Sequence, residues 1–159
     1  MKYFDSPIGL MIRGPDRWAT QGGAWHASRG RPGRPRLHEG VDLVTVPGQP
    51  IIAPAPVTFV RPADPYPDSM DGILSGALLM TTAGIEIKIF YCEVLPGMRK
   101  GRRLEQGEPF AVAQSLQDLY PGIQDHVHVE VRLANGKRVD PTPWFFKAGA
   151  ARPVAGLRA

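Results

Sequence analysis

Hydrophobic and polar positions alternate most cleanly over residues 126–133, where His-Val-His-Val-Glu-Val-Arg-Leu makes every second side chain apolar. A period of two belongs to an extended strand, with His126, His128, Glu130 and Arg132 on one face and Val127, Val129, Val131 and Leu133 on the other. Residues 137–139 continue beyond Asn135-Gly136, a pair that tolerates left-handed backbone at both positions and predicts a type I′ hairpin. Residues 77–82 and 85–92 are β-favouring runs around Ala83-Gly84. They read as a second hairpin in which Ile85, Ile87 and Ile89 are buried and Glu86 and Lys88 face water. Shorter strands are expected at 41–46, 51–53, 57–60 and 110–113, between Pro- and Gly-containing breaks such as Pro47-Gly48, Pro54 and Pro56. Residues 61–68, broken by Pro62, Pro65 and Pro67, read as a rigid turn-rich loop, and 116–120 as one helical turn.

Composition agrees with short strands. A chain of 159 residues that is 43% hydrophobic can bury one proper core, and its 18 glycines and 17 prolines break long helices. The expected fold is mostly β, a small antiparallel sheet domain with long loops. Residues 1–37, in which Arg29, Arg31, Arg34 and Arg36 are interleaved with Gly and Pro, read as an irregular lead-in packed on the domain. Residues 38–146 are the core and 147–159 a flexible tail.

Charge and cysteine content narrow the classes. The single cysteine, Cys92, excludes an intrachain disulfide. The N-terminal residues show no apolar signal-peptide segment, and no apolar stretch is long enough for a membrane span. A formal charge of +4 suits an anionic partner such as a nucleic acid, a membrane surface or a cell-wall polymer. Nucleic acid is disfavoured, since no aromatic interleaving or recognised binding module accompanies the arginines.

The chemistry centres on histidine. Two imidazoles on one face of a strand, about 7 Å apart at the backbone, can converge on one ion and its bound water, although such a pair is also compatible with two exposed histidines. Support comes from His38-Glu39-Gly40-Val41-Asp42, where a nitrogen ligand and a carboxylate lie four positions apart. On a helix this spacing would imitate a zinc motif with Glu39 as base. The β-branched residues and Pro47 that follow argue instead for an extended chain, on which Gly40 leaves room between the ligands. Two histidines and one carboxylate make three protein ligands, the number a catalytic zinc keeps so that water can take the fourth position.

In combination and in this order, His38-Glu39-Gly40-Val41-Asp42 and His126-Val127-His128 resemble the signature of the lysostaphin/LytM-type zinc metalloendopeptidases of bacterial cell walls. The resemblance spans roughly residues 6–146. It implies that His38, Asp42 and His128 hold Zn2+ in a groove, that His126 is catalytic, and that the substrate is a peptide bond of peptidoglycan. The family commonly carries a further catalytic histidine in a Tyr-x-His-Leu segment. Here that segment is Tyr91-Cys92-Glu93-Val94, which leaves Glu93 either as a general base or as a solvent-facing residue at a strand end. This departure supports an alternative, a non-catalytic zinc-binding structural or wall-binding module of a phage tail. With no signal peptide visible, delivery to the wall as a bacteriophage virion or lysis component, in contact with other tail proteins, is the expected route. Glu130 is placed either to hydrogen-bond an imidazole N–H or to pair with Arg132 or another basic side chain, and Arg29 either to border the groove or to lie on the surface. His26 reads as a loop residue, and Trp25, Trp144, Phe145 and Phe146 as packing.

Overall fold

The computed structural model of the chain describes residues 11–66 and 73–145, and the expected tail at 147–159 lies outside them. Among the described residues the fold is almost entirely antiparallel β. The main sheet runs in the order β12 (Arg138–Val139), β11 (His126–Arg132), β7 (Glu86–Phe90), β6 (Gly76–Met80), β5 (Val57–Ala63) and β9 (Arg103–Leu104). Strand β3 (Val41–Val44) pairs with β11 beside β12. A three-stranded sheet of β4 (Pro50–Ile52), β10 (Pro109–Ala113) and β8 (Cys92–Val94) packs against it, and β1 (Ser28–Arg31) with β2 (Arg34–Leu37) forms a separate hairpin.

Alternation explains the core. Val127, Val129 and Val131 of β11 and Ile87 and Ile89 of β7 are fully buried, and they meet Val41, Leu43, Phe59, Leu79 and Phe110 in one cluster. The opposite face of β11 is left for His126, His128 and Glu130, as the period of two predicts. Trp144 packs against this core, and Trp25 stacks on His26 at 4.4 Å between ring centres.

Several local expectations change. Strand β5 runs on through Arg61-Pro62-Ala63, where a loop was expected. A bulge between Phe59 and Arg61 shifts the register, and among the described residues the side of β5 away from β6 is bonded at Val57, Thr58 and Phe59, short of Pro62, which interrupts no ladder there. Residues 116–120 close a single turn, with Tyr120 N–H donating to Leu116 O at 2.8 Å, as expected. The β11–β12 hairpin is not type I′. Gly136 alone takes a positive φ, 84°, and its N–H donates to Leu133 O at 2.8 Å, the pattern of a type I turn followed by a left-handed glycine.

The segment expected to be irregular carries the β1–β2 hairpin, and residues preceding it are tied into the sheet. Ile12 bridges Leu43, Val44 N–H donates to Met11 O at 2.8 Å, and Arg13 N–H donates to Asp42 O at 2.9 Å, so this stretch lies along the free edge of β3. Ile12 is itself buried in the core cluster. Ile12→Ala is therefore expected to destabilise the whole domain by about 2–4 kcal/mol in denaturant melts; an unchanged midpoint would mean that residues 11–13 are an appendage.

Candidate metal centre

Strand register builds the centre. In the β3–β11 ladder Asp42 lies directly opposite His128, so their side chains emerge next to each other on the same face. His38 arrives from the segment just before β3, held by its N–H donating to Ala27 O at 2.9 Å. Gly40 makes the approach feasible: a Cβ there would lie 2.4 Å from Val129 O and 2.7 Å from the His128 ring. The expected room between ligands is thus room for the partner imidazole itself.

Three donor atoms converge. His38 Nε2 and His128 Nδ1 are 2.9 Å apart, and Asp42 Oδ1 lies 3.1 Å from the first and 3.0 Å from the second. A tetrahedral zinc with bonds near 2.0–2.1 Å needs ligand atoms roughly 3.3 Å apart, so this triangle is close to one face of the required tetrahedron.

Each imidazole is fixed by its outer nitrogen. His38 Nδ1–H donates to Ala24 O at 2.8 Å, His128 Nε2–H to Glu130 Oε1 at 3.1 Å, and His126 Nδ1–H to Gln124 O at 2.7 Å. A carbonyl or carboxylate only accepts, so the inner nitrogen of each neutral ring turns a lone pair toward the centre. Two lone pairs and a carboxylate oxygen facing one another call for a cation, and the donor set fits zinc. Glu130 meets both of its readings: Oε1 accepts from His128, and Oε2 lies 3.8 Å from Lys88 Nζ and from Arg138 Nε, whereas Arg132 donates to Glu86 at 2.9 Å.

Titration expresses the same demand for positive charge. Burial disfavours the His128 imidazolium, yet hydrogen bonds to Asp42 and Glu130 override it and raise the pKa to about 9. Burial likewise opposes the Asp42 carboxylate, but the charge of His126 and hydrogen bonds from His128 and His38 hold it well below the ordinary range. For His126 burial prevails and lowers the pKa despite Asp42, so this ring is neutral at neutral pH.

Arg13, which no motif in the sequence marks, completes the centre. Buried at 3% exposure, it donates to Asp42 Oδ2 at 2.7 Å and to both oxygens of Asp16 at 3.1 and 3.2 Å. Asp16 is held in turn by the N–H groups of Trp18 and Ala19. Arg13 thereby occupies the outer Asp42 oxygen and leaves Oδ1 facing the two imidazoles. Arg29 borders the groove, its Nη2 3.3 Å from Asp42 Oδ2.

A cavity of about 320 Å³ opens over the three ligands and is lined also by His126, Arg29, Arg36, Tyr66, Tyr91 and Tyr120. Tyr91 stands at a positive φ of 68°, a conformation that costs roughly 1–3 kcal/mol for such a residue and that concentrates at functional sites. Its backbone is fixed by its N–H donating to Ser75 O at 2.7 Å and its carbonyl accepting from Gln114 N–H at 3.0 Å. The kink separates β7 from β8 and sets the Tyr91 ring edge-on to His126, 5.3 Å between centres. Tyr120 donates to Tyr66 at 2.7 Å, and Tyr66 and Tyr91 hydroxyls are 3.0 Å apart.

Glu93, one residue past the buried Cys92, is exposed on β8 and does not line this cavity. Of its two readings, solvent-facing strand residue is the one found. Burial pushes the Cys92 thiol up to about 12, which leaves it neither nucleophile nor ligand. His26 is exposed and apart from the ligand cluster.

No family model matches the chain. A zinc-containing peptidase from Vibrio cholerae has a TM-score of 0.61 at 17% identity, over 88% of this chain and 39% of that one. Lysostaphin has a TM-score of 0.59 at 17% identity, over 99% of this chain and 62% of that one. The chain thus spans less than two thirds of either, and the fold is that of the lysostaphin/LytM-type domain. In sequence it is 34% identical over 110 residues to leukocyte cell-derived chemotaxin-2 of Mus musculus, which covers 69% of this chain and 67% of that protein. The chain belongs to the leukocyte cell-derived chemotaxin-2 family.

Two outcomes follow for the centre. Gly40→Ala should abolish stoichiometric zinc uptake in elemental analysis, because its Cβ displaces the His128 ring; normal uptake would refute the close approach. In the metal-free protein His128 has a folded pKa of about 9 against an ordinary 6.5, so the stability it contributes is complete below pH 6.5 and is lost as pH rises to about 9. Zinc must displace that proton, so apparent zinc affinity should rise over the same window. A flat affinity between pH 6.5 and 9 would contradict the assignment.

Proposed function

We propose that the chain is a zinc-dependent endopeptidase that hydrolyses peptide bonds in bacterial peptidoglycan, with His38, Asp42 and His128 holding the metal and His126 as the catalytic residue. The observation that carries this reading is the three-atom triangle whose remaining side opens into a cavity lined by His126 and Tyr91. Bound there, zinc would supply Lewis acidity and a water of pKa near ~7.

The residues of the chain then divide the remaining work. His126, neutral and with Nδ1 tied to Gln124, keeps Nε2 free to accept a proton from the attacking water and to return it to the leaving amine. The Tyr91 hydroxyl, pushed up to about 12 largely by burial, remains protonated. Because Tyr66 can donate to Tyr91 while accepting from Tyr120, the Tyr91 proton is free to point into the cavity and meet the oxygen on which charge develops.

The position of Glu93 favours a second reading, a non-catalytic zinc-binding module, and the curated relative is named as a chemotaxin. On either reading, delivery as part of a phage virion or lysis system, with tail proteins as partners, remains the proposed context.

The test is release of soluble fragments from purified peptidoglycan by zinc-loaded protein, read by mass spectrometry. His126→Ala should keep its zinc and lose about 10²–10⁴ in rate, Tyr91→Phe about 10²–10³, and Glu93→Gln almost nothing. Full zinc with no fragments from several wall chemistries would transfer the assignment to the binding module.

A further inference from the structure

The β1–β2 hairpin has an unfavourable composition for what it is. It is a two-stranded ribbon outside the larger sheets, the least stable form of β structure. Its register sets Arg29 directly opposite Arg36, and like charges facing each other across a ladder destabilise it. Among the described residues, Arg34 and Arg36 have no carboxylate within ion-pair distance. Glu39, which also lines the cavity, is engaged by Arg138. Repulsion of this kind persists at no gain unless an anion relieves it. The ribbon is also not remote from the chemistry, since Arg29 and Arg36 both line the cavity above the ligand cluster.

We infer that the β1–β2 hairpin is a carboxylate-binding arm that aligns an extended acidic peptide beside the metal centre. The inference rests on the proposed function only in calling the ligand a substrate. Arg29 already lies 3.3 Å from a carboxylate oxygen, that of Asp42, which shows that its guanidinium reaches such a group at the cavity floor. Arg36 and Arg34 are two residues apart on β2, about 6.6 Å along a strand, and carboxylates on alternate residues of an extended peptide repeat at the same distance. A peptide is favoured over a nucleic acid because the same cavity offers an amide what it needs, a hydroxyl donor at Tyr91 and an imidazole acceptor at His126. One carboxylate would sit between Arg29 and Arg36 and the next at Arg34, leaving the intervening backbone over the centre's rim.

The experiment uses the full zinc-loaded chain and an end-blocked hexapeptide of alternating glutamate and alanine, with its glutamine counterpart as control, in fluorescence polarisation. The glutamate peptide should bind at least tenfold tighter, and the preference should shrink as salt rises. Arg36→Gln and Arg34→Gln should each weaken that binding roughly three- to tenfold, keep the zinc content, and hold or raise the melting temperature, because Arg36→Gln removes a repulsive pair and neither side chain has an ion-pair partner among the described residues. A merely structural arginine would instead lower the melting temperature. Equal binding of the two peptides, or unchanged affinity in both variants, overturns the inference. So does a single-stranded oligonucleotide that binds tighter than the glutamate peptide and is weakened by the same variants. Binding is read without turnover, so the two readings fail separately. A glutamate preference in a protein inert toward peptidoglycan leaves the arm in place, whereas cleavage without that preference removes only the arm.

Discussion

The centre depends on one alignment, the pairing of Asp42 with His128 across the β3–β11 ladder. Because side chains alternate along a strand, a slip of one residue would turn Asp42 into the core and a valine toward the groove. The buried partners on the other face prevent that slip. Val41 and Leu43 interlock with Val127 and Val129, and together with Ile87 and Ile89 they tie the register to the core. Geometry at the centre is thus specified by hydrophobic packing on the reverse of the same two strands, and no disulfide or long helix is needed to hold it.

Around that alignment the structure is arranged to keep charge balanced in a buried place. Asp42 has two oxygens with separate duties, Oδ1 toward the histidines and Oδ2 toward Arg13. Arg13 is neutralised in turn by Asp16, so the buried cation and the buried carboxylate satisfy each other without closing the metal position. The same economy of orientation governs the imidazoles, whose outer N–H groups are all committed to carbonyls or a carboxylate. What remains directed at the cavity floor is a set of acceptors, with the Tyr91 hydroxyl and the guanidinium groups of Arg29 and Arg36 along its lining.

Much of this was legible in the sequence because it is local. The period of two at 126–132 and 85–90 gives strands and faces directly, and His-x-His on a polar face with His38 and Asp42 marks the donors. Other parts needed the third dimension. Arg13 is 29 residues from Asp42 and meets it only because residues 11–13 lie along the edge of β3. Tyr66, Tyr91 and Tyr120 are scattered in sequence and meet through their hydroxyls and a shared cluster with Leu74, Leu116 and Ile123. The direction of Glu93 turns on the positive φ of Tyr91, which no propensity of tyrosine announces. Pro62 signalled a loop correctly as a non-donor, but an edge position lets a strand absorb it. The Arg-rich segment read as irregular because Gly and Pro mask its pairing; the alternation of its arginines was the available signal.

X-ray absorption at the zinc edge of the reconstituted protein tests the central claim most directly. The account predicts two imidazole nitrogens and two oxygens, one from Asp42 and one from water, at about 2.0–2.1 Å, with a spectrum unchanged by His126→Ala. A shell with three imidazoles, a spectrum altered by that substitution, or zinc that scatters like the free aqueous ion would contradict it.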